Sequence, residues 1–227
     1  MKRLPRRDFM KTGGVAVISS LLPLAGCSSN DVDVLAMPTA PNMDIPAGAT
    51  GTELATSPIT PNDRFYLQSI NGQNYDPDVN GDNWRLTIDG LVGAPITNLS
   101  YGDLISMPLQ RDTVTLQCIG NWIGGPLVGN AEWGGTPLRN LLEPVGVQNQ
   151  AVRLKFYSVD GYTTSIPLDR AVRDNVLLTW EMNGETLPSK HGFPVRLINP
   201  GHYGQKMPKW ITRIELIDNV HLGYWES

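Results

Sequence analysis

Cysteine is nearly missing from this chain: there are two in 227 residues, Cys27 and Cys118. That count excludes the disulfide framework on which small exported domains rely. An internal repeat is absent too, as are the P-loop and dinucleotide-binding glycine patterns. No apolar run is long enough for a membrane helix in a mature protein; the stretch at 15–25 is too short to span a bilayer comfortably. Histidine occurs only at 191, 202 and 221, and none of these stands from another or from Cys118 at the short spacing of structural zinc sites. Basic charge is not in excess. The net charge of −4 gives no reason to expect nucleic acid as a partner.

What is present begins with an N-terminal address. Lys2, Arg3, Arg6 and Arg7 precede the apolar run, and Arg6-Arg7-Asp8-Phe9-Met10-Lys11 resembles the twin-arginine export signal. The run closes on Leu24-Ala25-Gly26-Cys27, which is similar to a bacterial lipoprotein cleavage box with Cys27 as the lipidated residue. These resemblances imply a protein exported folded, with its cofactor already inserted, and held as a periplasmic or cell-surface lipoprotein. Residues 1–27 are thus read as the signal. Residues 28–60, rich in Pro, Ala, Asn, Thr and Asp without hydrophobic period, are read as a flexible tether, and 61–227 as one domain. With Cys27 lipidated, Cys118 is alone and an intramolecular disulfide is excluded.

Within the domain, apolar and polar residues alternate at 84–88, 113–118 and 152–157, which predicts half-buried strands. Further strands are expected at 176–182, ending in an Asn183-Gly184 hairpin turn, and at 193–198 and 210–217. Ser100 and Asp103 form a capping box for a short helix at 101–107. Thr136 and Pro137 predict the start of another, and 121–135 reads as a long glycine-rich loop carrying Trp122 and Trp133. Strands outnumber short, scattered helices. The fold class is α+β, mainly a β mixed-sheet domain.

Two features call for chemistry. Cys118 falls at the end of a strand, on its core side, next to Gly120 and Asn121, where it is either an inert buried thiol or one whose sulfur is occupied. Between Glu185 and Glu215 there is no acidic residue, yet the stretch holds Lys190, Arg196, Lys206, Lys209 and Arg213 with Gly201 and Gly204. That is a local positive field able to hold a phosphate-like anion, or else a solvated basic face.

Taken in order, Leu116-Gln117-Cys118-Ile119-Gly120-Asn121, Glu181-Met182-Asn183-Gly184-Glu185, His191-Gly192-Phe193-Pro194-Val195-Arg196 and Lys209-Trp210 resemble the molybdopterin-binding domain of the sulfite oxidase family. The 203–206 stretch is similar to the periplasmic methionine sulfoxide reductase branch. The resemblance implies a molybdenum-molybdopterin oxidoreductase with Cys118 as metal ligand. It also implies a cofactor held by Phe65, Tyr66, Leu67, Asp160, His191, Arg196, Gly204, Gln205, Lys206 and Lys209. An external electron-transfer partner and a small-molecule substrate follow from it. Sulfite oxidases carry arginines directly after this cysteine motif, where this chain has Trp122 and Ile123. Trp122 and Ile123 are therefore expected to shape access, suiting a neutral, sulfoxide-like substrate better than a dianion. The expected reaction is two-electron oxygen-atom transfer, either reduction of an S- or N-oxide or oxidation of a sulfite-type anion. The alternative reading is a non-catalytic lipoprotein that keeps the fold as a binding module.

Overall fold

In the computed structural model of the protein, residues 58–226 are described. The twin-arginine motif, Cys27 and nearly all of the 28–60 tether lie outside them. The secondary structure runs β1 (Arg85–Gly90), β2 (Ile96–Ser100), α1 (Tyr101–Ile105), β3 (Gln110–Gln117), β4 (Val128–Pro137) and α2 (Arg139–Val145). It continues with β5 (Arg153–Ser158), β6 (Thr163–Pro167), α3 (Leu168–Ala171), β7 (Leu177–Met182), β8 (Glu185–Thr186), β9 (Arg196–Ile198) and β10 (Ile211–Ile217).

Two five-stranded sheets result. The first has the order β2-β1-β10-β5-β6; it is mixed, since β1 pairs with β10 in parallel and its other pairs are antiparallel. The second runs β3-β4-β7-β8, with β9 also on β7. Alternation produces the expected burial: Leu86 and Ile88 of β1 are buried beside exposed or half-buried neighbours, as are Val114 and Leu116 of β3. One apolar cluster packs Leu86, Leu154, Phe156 and Ile214 of the first sheet with Leu141 and Leu142 of α2. A second gathers Phe65, Val114, Leu116, Trp133 and Met207, directly behind the site described below.

Several elements differ from expectation for identifiable reasons. The loop proposed at 121–135 is in large part β4, so that the connection shortens to 118–127 and Trp133 is wholly buried. Glycine in β4 serves close packing: a Cβ on Gly135 would stand 2.1 Å from the Leu178 carbonyl oxygen across the β4–β7 pair. Pro137 remains in β4, paired with Leu177, so α2 starts at Arg139 without a side-chain cap. The Asn183-Gly184 turn takes positive φ at both residues, 53° and 78°, as a type I′ hairpin requires. The Ser100–Asp103 capping box forms at α1. Among the described residues no helix is long and apolar enough to cross a membrane.

Candidate active site

Beyond the end of β3 the chain makes a tight loop that fixes Cys118. The Cys118 N–H donates to the Leu127 carbonyl at 2.9 Å, and the Asn121 N–H donates to the Cys118 carbonyl at 3.0 Å. Asn121 Oδ1 then accepts from the Leu127 N–H at 2.9 Å, closing the loop across its base. Gly125 makes room for this clasp, since a Cβ there would sit 2.4 Å from Asn121 Oδ1. The Gly-Asn sequence after the cysteine is thus a local device for holding the thiol's backbone. Cys118 is half-buried, and burial pushes its thiol pKa up, opposed by the Gly120 N–H. Without a metal the sulfur is a neutral thiol at pH 7.

Cys118 faces a cleft enclosing about 700 Å³, its mouth included. The cleft brings together Phe65, Tyr66, Asp160, His191, Arg196, Gly204, Gln205 and Lys209 from six separate stretches of chain. Sequence reasoning did not single out Tyr162, Met207 and Trp225, which also line it. Leu67 is half-buried and is not part of the lining. Trp122 is corrected more firmly: the clasped loop carries it outward, 52% exposed, and the indole in the wall is that of Trp225.

The cationic stretch divides. Lys206 turns away from the cleft to pair with Glu226, and Arg213 pairs with Asp89 and Glu215. The expected phosphate-side role of Lys206 is therefore set aside. Lys190 is exposed and outside the lining, so Arg196 and Lys209 remain. Arg196, on β9, is only 5% exposed; its Nη1 donates to the His191 carbonyl at 2.9 Å and its guanidinium lies 4.7 Å above the Trp133 ring. Burial lowers its pKa to about 10, still charged at neutral pH. Lys209 Nζ donates to the Lys190 carbonyl at 2.9 Å, and burial, with Arg196 nearby, lowers its pKa to about 7. His191 Nε2 lies 2.8 Å from the Asn62 carbonyl, which can only accept, so the ring proton is assigned to Nε2 and Nδ1 keeps its lone pair. Burial lowers the His191 pKa to about 4.

Backbone strain is concentrated here. Trp210 is wholly buried with φ 52°, a region costly for a bulky side chain, and is held by its indole N–H donating to the Ser189 carbonyl at 2.7 Å. Gly192, at φ 122°, passes between the two cations, where a Cβ would meet Arg196 and Lys209 at 3.0 and 3.1 Å.

Three side-chain atoms of this wall are buried without a hydrogen-bond partner among the described residues: Arg196 Nε, Gln68 Oε1 and Gln205 Oε1. A buried polar atom left unpaired costs on the order of 1–3 kcal/mol, so a donor and two acceptors orphaned on one cavity demand a polar ligand. With two cations and one thiol, the set suits a group carrying a phosphate, a heterocycle with donor and acceptor edges, and a thiophilic metal. Among the described residues no group of three or more His, Cys, Asp or Glu is placed to hold a metal ion.

Comparison with known proteins agrees with that demand. Residues 73–225 match the family model described as "Oxidoreductase molybdopterin binding domain". The chain belongs to the sulfite oxidase family of molybdopterin-binding oxidoreductases. Similar proteins include the mitochondrial sulfite oxidase of Rattus norvegicus, 34% identical over 76% of this chain and 36% of that protein. The uncharacterized oxidoreductase YuiH of Bacillus subtilis is 32% identical over 63% of this chain and 70% of that protein. Among solved structures, the sulfane dehydrogenase SoxCD of Paracoccus pantotrophus superposes with a TM-score of 0.65 at 27% identity, over 71% of this chain and 44% of that one. The chain thus spans about a third of the length of the mammalian sulfite oxidase it matches. Family membership makes it an enzyme domain of the molybdenum cofactor, with the mainly β mixed-sheet fold described above.

Proposed function

We propose that this domain uses molybdenum-molybdopterin for two-electron oxygen-atom transfer on a small neutral substrate outside the cytoplasm. The observation that carries the reading is the orphaned trio Arg196 Nε, Gln68 Oε1 and Gln205 Oε1 on a cleft that also holds the lone thiol. When bound, the cofactor supplies the oxygen-atom and electron chemistry.

The chain's own residues bind, orient and shield. Cys118 would be the metal's protein ligand; because its thiol is neutral beforehand, loading releases a proton. Arg196 and Lys209 would neutralise the phosphate, and the anion would in turn favour the Lys209 ammonium. His191 Nδ1, Gln68, Gln205 and Asp160 would meet the polar edges of the pterin. Asp160 is already oriented, its Oδ1 accepting from the Tyr162 N–H at 3.0 Å and its Oδ2 from Ser69 at 3.3 Å. Burial raises the Tyr66 pKa, so its hydroxyl stays a proton donor at every working pH. Ile119, Met207 and Trp225 line the wall with apolar surface that excludes water.

With Arg196 and Lys209 engaged by the cofactor, no further Lys or Arg among the described residues lines the cleft. A small dianion has no counter-charge there, whereas a neutral sulfoxide needs none. Protein matured in a molybdopterin-producing host is expected to hold about one molybdenum per chain and to reduce a sulfoxide with a viologen donor. Oxidation of sulfite with ferricyanide instead would favour the activity named for the mammalian relatives. Absence of both metal and turnover would favour a non-catalytic binding module.

Export by the twin-arginine route, lipid attachment at Cys27 and an external electron-transfer partner complete the proposal, motivated by the N-terminal motifs. Mass spectrometry of the mature protein should find a diacylglyceryl group at Cys27 and nothing N-terminal to it. An intact Met1 in membrane-fractionated protein would refute this.

A further inference from the structure

After β10 the chain returns across β6. Ser165 Oγ donates to the His221 carbonyl at 2.7 Å, and Gly223 passes so close that a Cβ would stand 2.0 Å from the Thr163 carbonyl oxygen. The segment ends in a tight turn, with the Glu226 N–H donating to the Gly223 carbonyl at 3.0 Å. The Glu226 carboxylate folds back over this turn. It accepts from the Gly223 N–H at 2.8 Å and from Thr164 Oγ1 at 3.1 Å, and it pairs with Lys206 Nζ. Lys206 also donates to the Ser165 carbonyl at 2.8 Å.

Most surface ion pairs contribute little because two long side chains must be ordered in water. This one is different: the side chains are 16% and 7% exposed, and each is held by further hydrogen bonds. Burial would raise the Glu226 pKa, yet Lys206 and the Gly223 N–H bring it below the usual carboxylate range. Neither partner lines the cleft. Their sequence neighbours do: Gln205 beside Lys206, and Trp225 beside Glu226. Trp225 is otherwise weakly held, being 40% exposed and touched edge-on by the still more exposed Tyr224 at 4.8 Å.

We infer that Glu226 is a positioning residue which, through Lys206, holds the Trp225 indole as the apolar lip of the cleft and so selects neutral sulfoxides bearing an apolar substituent. The inference rests on the function proposed above. The indole offers a flat apolar face to an aryl or alkyl group, and sulfur packs well against aromatic rings. That face offers a dianion no counter-charge. Gln205 is held independently of Glu226, its carbonyl accepting from the Tyr162 hydroxyl at 2.7 Å, so the clamp governs substrate binding at the lip and leaves loading alone.

The test compares loaded wild-type protein with Glu226→Gln, Trp225→Ala and Trp225→Phe. The readouts are molybdenum content, amide hydrogen exchange over 222–226, and turnover of methyl phenyl sulfoxide with a viologen donor. Glu226→Gln is expected to keep its molybdenum, exchange about tenfold faster at the segment and raise KM about tenfold with kcat within about twofold. Trp225→Ala should raise KM alike, and Trp225→Phe, which keeps an apolar ring, should raise it less. Unchanged exchange in Glu226→Gln, or loss of molybdenum in Trp225→Ala, overturns the clamp. A loaded wild type that reduces no sulfoxide overturns the selectivity. Wild-type protein without molybdenum overturns the underlying function instead, while the exchange comparison still decides the clamp.

Discussion

Cys118→Ala is expected to fold and to purify with less than about a tenth of the wild-type molybdenum. Folding is spared because Cys118 is half-buried at the cleft rather than in either apolar cluster, and its loop is held by backbone bonds and by Asn121 Oδ1. The change in stability should stay within about 1 kcal/mol, the range for a side chain outside the core. Metal retention is another matter. Among the described residues no alternative cluster of ligating side chains exists, so nothing replaces the sulfur. Cys118→Ser should fail nearly as badly, since a hydroxyl is harder, less acidic and a poor match for a thiophilic metal. Elemental analysis of protein matured in a competent host, paired with a thermal melt, separates lost ligation from lost fold. Near-wild-type molybdenum in Cys118→Ala would remove the ligand assignment.

How much of this was legible depended on whether the cause of each feature was local. Strands with one buried face announced themselves by alternation, as at Arg85–Gly90 and Gln110–Gln117. The capping box and the Asn183-Gly184 turn were legible because their partners lie within three residues. β4 was not, because its glycines imitate a loop while serving contacts with Phe65 and Leu178 far along the chain. β2 and β6 are short sheet-edge strands with polar sequences, ITNLS and TTSIP, that carry little period.

The site shows the same division. Cys118 was marked by a strand end and by its solitude, and Arg196 and Lys209 by a stretch without acids. That stretch overstated the field, since Glu226 claims Lys206, and Asp89 and Glu215 claim Arg213. Trp225, not Trp122, lines the cleft for a reason no spacing reveals. The clasp at Asn121 sends Trp122 outward, and the turn at Gly223 brings Trp225 in.

Stability of the cofactor-free domain should fall as pH drops from 6.5 to 4, by about 3 kcal/mol on account of His191 alone. The sign follows from protonation. Burial holds the folded His191 pKa at about 4, whereas the unfolded residue titrates near 6.5. Between those values the unfolded chain binds the proton and the folded one does not, so acid favours unfolding. Above 6.5 both forms are neutral and the effect vanishes. Below 4 both are charged and it grows no further. Lys209 acts in a separate window, from about 7 upward, because its folded pKa is near 7. Carboxylates held below their usual range, Asp103 and Glu226, add acid sensitivity of their own, so the histidine share needs a difference measurement. His191→Gln supplies it: the amide can still donate to the Asn62 carbonyl but carries no titratable group. Urea unfolding at pH 6.5 and pH 4 should show the wild type losing about 3 kcal/mol more than this variant. Equal losses would mean the ring is not neutral in the fold, and with it would go the Nδ1 lone pair assigned to the pterin. In loaded protein the excess loss should shrink, since a phosphate beside Arg196 and Lys209 relieves the positive field that adds to the depression of His191.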